Sequence, residues 1–135
     1  MPPLLTIRDS QMHALAAAAD RGLEERMRAH LRSHFPDECQ ALEPVLELWV
    51  REGIAAARGR GLASERHLCK YLGLTMVFGL HFAAAPHLDW VRAVLDDPGV
   101  PSPGDRLERL YQEALHRLAR EEEERSARDA FHAAG

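Results

Sequence analysis

Residues 68–85 read LCKYLGLTMVFGLHFAAA, and the reading of this stretch decides the fold. Its polar side chains are Lys70, Thr75 and His81 alone. A helix made from it is apolar on nearly all sides, and such a helix is normally buried on nearly all sides. The apolar run Tyr71 to Pro86 contains His81 and falls short of the ~20 residues that a membrane span needs. It therefore reads as a core helix. Its start is expected near Ala63 or Ser64, with Glu65 favourable in the first turn, and its end at Pro86. Gly73 and Gly79 cost helix propensity, and each is expected to admit a neighbouring helix closely.

Working towards the N-terminus, Gly59 and Gly61 supply a stop for a preceding helix. That helix is expected to open at Pro44, which lacks only an N–H the first turn leaves unused. Val45, Leu48, Trp49, Glu52 or Gly53, and Ala56 read as its inner face. Further back, Met12, Leu15, Ala16, Ala19, Leu23, Met27 and Leu31 recur at gaps of three and four and predict one buried stripe. Its helix is expected to start at Asp9 or Ser10, both good caps, and to stop at Phe35, because Pro36 disfavours helical backbone in the residue before it. A short helical turn over 37–42 follows.

Towards the C-terminus, His87 to Leu95 reads as a short helix, and DDPGVPSPG as a loop dense in Pro and Gly. Ser102-Pro103-Gly104-Asp105 has the form of a capping box with proline first in the helix. Leu107, Leu110, Tyr111, Ala114, Leu115 and Leu118 form the next stripe. It fades at Arg120 into EEEERSARDAFHAAG. The sum is an all-α single domain over 1–135: an antiparallel bundle of about five helices around the central one, 64–85. Residues 1–8 and about 125–135 are expected to be flexible.

With 135 residues the chain is long enough for its own core. A net charge of −4 argues against a dedicated nucleic-acid binder. The start MPPLLTIRDS lacks the charged-then-apolar order of a secretory signal, so the expected compartment is the cytoplasm. Two cysteines, Cys39 and Cys69, make neither a disulfide framework nor a zinc module, and read as buried thiols inside helices, acting as small hydrophobes.

No nucleophile elbow, P-loop or dinucleotide fingerprint is present. His30 and His34, four apart, share a helix face and could both reach one ion, with Glu38 or Cys39 after the turn as a third ligand. The simpler reading, surface histidines near a helix end, is preferred, and no metal or cofactor is expected. His81 reads as a hydrogen-bonded core histidine or as part of a narrow polar strip. Arg51, Arg58, Arg60, Arg66 and Lys70 against Glu52 and Glu65 leave residues 51–70 with +3; a patch of that size could meet an acidic protein surface, but a solvated loop region is the preferred reading. Trp49 and Trp90 are core candidates, and Trp90, beside loops, is also a candidate anchor for a partner.

Phe35-Pro36, Gly53-Ile54, Ala57-Arg58, Gly61-Leu62-Ala63-Ser64-Glu65-Arg66, Tyr71, Gly79, Phe82, Pro86, Trp90 and Leu95 together resemble small helical proteins encoded in bacterial type VI secretion loci beside spike, PAAR and effector genes. The resemblance covers about Gln11 to Leu95. The turn Arg60-Gly61-Leu62-Ala63, and Ala83 after Phe82, depart from that pattern. The resemblance implies a cytoplasmic, non-enzymatic accessory protein, an effector adaptor or chaperone, whose partner is a secreted effector, PAAR or spike protein. An immunity protein for a neighbouring toxin and a ligand- or haem-binding domain using His81 are the alternatives. A homodimer stays open. The candidate partner-binding residues are Tyr71, Phe78, His81, Phe82, Trp90, Arg58 and Arg66.

Overall fold

A computed structural model describes the backbone of residues 2–134 and the side chains of residues 11, 12 and 14–134. The chain is all-α: 83% of it is helical, in six helices, with no strand among the described residues. Its contacts group into two compact units, Met1–Leu80 and His81–Gly135. No described helix is long and apolar enough to cross a membrane.

In the first unit, α1 spans Pro2–His34, so it begins upstream of the expected start. The expected cap side chains of Asp9 and Ser10 lie outside the described residues. The predicted stripe is buried only in its second half, at Leu23, Met27 and Leu31. Met12 and Leu15 are 61% and 70% exposed, and every described side chain from Gln11 to Arg21 is exposed. Phe35 ends the helix at φ −132°, ψ 60°, outside the helical region that a following proline disfavours. Pro36 then opens α2, Pro36–Ala41, with Asp37 and Glu38 at its positive end.

Pro44 sits in a single 3-10 turn, Glu43–Val45, and α3 runs from Leu46 to Gly59. Its buried face is Leu46, Val50, Gly53, Ile54 and Ala57. The expected face is therefore wrong by one residue, a rotation of about 100°: Val45 and Leu48 are exposed. Both stripes are apolar at helical spacing, and only packing against α1 and α4 chooses between them. The stop after α3 is a Schellman motif. Leu62 N–H donates to Ala57 O and Gly61 N–H to Arg58 O, with Gly61 at φ +86° and Leu62 and Ala57 both buried.

Ser64 caps α4, its Oγ accepting from His67 N–H at 3.1 Å. The helix runs Glu65–Phe78 and buries Leu68, Tyr71, Leu72, Leu74 and Thr75. It stops well before Ala85, correcting the expected central helix over 64–85. Gly79 takes φ +103° and caps it, donating to Thr75 O. A glycine reaches that backbone without a Cβ penalty, so an apolar run that continues in sequence turns in space. The close helix approach is at neither Gly73 nor Gly79 but at Gly53. A Cβ there would meet Leu72 Cδ2 well inside 3.0 Å, whereas one at Gly73 meets Phe35 at an ordinary 3.9 Å and one at Gly79 meets nothing.

The second unit holds a 3-10 turn, Phe82–Ala84, then α5, Asp89–Leu95, and α6, Pro103–Ala134. Val91 and Leu95 of α5 and Leu107, Leu110 and Ala114 of α6 are buried, and the two helices pack together. Ser102 accepts at its Oγ from Asp105 N–H at 3.4 Å as α6 begins. Leu115 of the predicted stripe is exposed, and all described side chains from Ala119 on are exposed. Two arginines pin loop carbonyls. Arg92 donates to Ala85 O at 2.6 Å and pairs with Asp89. Arg106 donates to Val100 O at 2.7 Å and to Pro101 O at 3.2 Å.

Candidate functional site

The sequence-predicted partner residues fall in different places. Tyr71 and Phe82 are 2% and 1% exposed and belong to the cores of separate units. Neither presents surface to a partner, and the strip expected near Tyr71, Phe78, His81 and Phe82 does not lie on one helix. Burial pushes the Tyr71 phenol above its ordinary value, and the charge and hydrogen bond of Arg60 pull the other way. Phe78 is half-buried at the end of α4. His81 is exposed, between helices, its carbonyl accepting from Ala84 N–H.

The basic patch is largely answered by acids within the first unit. Arg58 of α3 pairs with Asp20 of α1 at 3.2 Å. Arg51 pairs with Glu24 of α1 at 3.5 Å and with Glu47 at 3.2 Å. Glu65 holds Arg26 at 2.8 Å. Exposed pairs of this kind are each worth roughly 0–1 kcal/mol, yet with Asp20, Glu24, Glu47 and Arg26 drawn in, the +3 of the linear count falls to +1. Arg66 remains exposed at the start of α4.

Burial raises both thiols above their ordinary value. At Cys39 Arg32 opposes the shift while Glu38 and Glu43 add to it, and at Cys69 Glu65 adds to it. Cys69 also donates to Met27 Sδ at 3.5 Å. Raised, enclosed thiols are poor nucleophiles.

Trp90 borders a groove of the second unit. It is half-buried on α5, and the Arg117 guanidinium of α6 lies 4.1 Å above its ring centre, a cation–π contact. Glu113 holds Arg117 at 3.0 Å, one turn away, and Asp97 lies 3.7 Å from Arg109. Trp90, Val94 and these four charged residues border an open groove of about 460 Å³. An aromatic floor with a rim of both charge signs suits a peptide with apolar and charged side chains.

The second surface went unread in the sequence as a surface. Met12, Leu15, Ala16 and Ala19 follow one another at helical spacing on a part of α1 with all its described side chains in solvent. The signal was the stripe itself, which continues without a break into the buried Leu23, Met27 and Leu31.

Compared with protein-family models, curated proteins and solved structures, the chain matches none.

Proposed function

We propose that the chain is a non-enzymatic protein-binding module, an effector adaptor or chaperone of the kind encoded in type VI secretion loci. The observation that carries the binding role is the exposed apolar stripe Met12–Leu15–Ala16–Ala19 on α1. An amphipathic helix with an uncovered apolar face docks into an apolar groove through side chains spaced i, i+3, i+4 and i+7. The Trp90–Arg117 groove offers a second contact for a partner segment. The type VI context, and with it an effector, PAAR or spike partner, rests on the residue resemblance alone.

The test is capture of partners from the native host by the full chain, followed by Leu15→Glu. Recovery of an effector, PAAR or spike protein by the natural chain, lost with Leu15→Glu, is expected. Recovery of none of these overturns the adaptor reading. Protection of cells against a neighbouring toxin, with no effect on secretion, replaces it with an immunity role.

A further inference from the structure

The last turn of α1 carries a second kind of chemistry. Of the eight histidines, His30 and His34 alone stand four apart. Both side chains are exposed, and their ring centres lie 4.3 Å apart at an interplanar angle of 34°. His34 Nδ1 is 3.0 Å from His30 O. A carbonyl only accepts, so Nδ1 carries the hydrogen, and in the uncharged ring the lone pair is left at Nε2. This is the second-sphere arrangement that metal-binding histidines use: one ring nitrogen donates to a backbone carbonyl, fixing the tautomer and the ring orientation, and the other faces the ion. The helix is intact through the pair, since Phe35 N–H still donates to Leu31 O at 2.7 Å. The two rings are therefore held on one face by regular backbone and not by loop geometry.

From this we infer that His30 and His34 form a two-nitrogen chelate for a divalent transition metal. The chain supplies two adjacent donors. Cys39, considered above as a third, is buried on α2, and among the described residues no group of three or more histidine, cysteine or carboxylate side chains forms a metal cluster. The remaining coordination positions belong to water. Two imidazoles plus water suit tetragonal, nitrogen-preferring ions, Ni²⁺ and Cu²⁺, above the hard ions Mg²⁺ and Ca²⁺. The site is open and exchangeable, unlike the closed four-ligand sites that hold structural zinc. Binding ties together the last turn of α1 immediately before the break at Phe35-Pro36.

The probe is Ni²⁺, which the two thiols do not reduce, titrated calorimetrically into the full untagged chain. One Ni²⁺ per chain is expected. His30→Ala and His34→Ala should each weaken binding by more than about tenfold, the loss usual when a metal site loses a supporting group. Both residues are exposed, so neither variant should lower the unfolding temperature without metal, and Ni²⁺ should raise that temperature for the natural chain alone. Mg²⁺ at the same concentration should produce no heat above dilution. Absence of saturable Ni²⁺ binding, or affinity unchanged in both variants, overturns the proposal.

Discussion

Leu72 of α4 occupies the space that a side chain on Gly53 of α3 would need. Both residues are buried, so the contact sets how closely the two helices pack. In Gly53→Ala the new methyl gains up to about 1 kcal/mol of helix propensity, but it must displace a packed leucine, and overpacking costs about 1–3 kcal/mol. The net expectation is a loss of about 1 kcal/mol. Gly73→Ala meets only Phe35 at 3.9 Å, so it should gain by up to about 1 kcal/mol. Chemical denaturation of the two variants should thus give shifts of opposite sign. If both stabilise, the interface yields freely and Gly53 is not the point of close approach.

Thr75 is a polar side chain fully buried in the core. Its Oγ accepts from Trp49 Nε1 at 3.0 Å and donates to Leu72 O at 2.6 Å. Thr75→Val keeps the shape and removes the oxygen, leaving the indole N–H without its acceptor. The cost should be about 1–3 kcal/mol, read as a lower urea midpoint, and Thr75→Ser should recover part of it. A valine variant as stable as the natural chain would show that the indole finds another acceptor.

Local chemistry was legible in the sequence, and long-range choices were not. Pro36, Gly61, Ser64 and Ser102 mark helix boundaries through their own backbone or side chains, and each acts where it was expected. Helix faces are different. Whether Leu48 or Ile54 of α3 turns inward depends on what α1 and α4 present, tens of residues away. Gly79 could be read as an interior glycine or as a cap, and the apolar residues beyond it masked the cap. Part of the candidate site was legible: Trp90 stood out as an aromatic beside loops. Its partner Arg117 was not, because nothing in the chain links positions 27 apart. The His30–His34 pair was fully visible, since helical spacing alone brings it together.

Stability should fall at alkaline pH. Burial raises the Cys39 and Cys69 thiols and the Tyr71 phenol above their ordinary values of 9.0, 9.0 and 10.0. Above about pH 9 the unfolded chain has therefore lost protons that the folded chain keeps. The unfolded state binds fewer protons, so the slope of unfolding free energy against pH is negative. The contribution is fully present below pH 9 and is lost as pH rises through the folded values. Lys70 is the only lysine, so lysine titration adds little in this range. The unfolding temperature should be lower at pH 10.5 than at pH 8, and the gap should narrow in the double variant Cys39→Ala, Cys69→Ala. An equal gap in both proteins would assign the fall to other groups.

The stripe on α1 should divide energetically where its burial divides. Leu31 is fully buried, and Leu31→Ala should cost about 2–5 kcal/mol. Leu15 has the same residue type and belongs to the same predicted stripe, but it is 70% exposed. Leu15→Ala removes little buried surface and should change stability by no more than about 0.5 kcal/mol. Sequence periodicity alone assigns the two leucines the same role, so the contrast separates folding from availability. A large loss for Leu15→Ala in the isolated protein would mean that the N-terminal half of α1 is covered in solution, removing the surface on which the proposed partner docks. A negligible loss, together with loss of captured partner in Leu15→Glu, places the leucine's contribution in recognition.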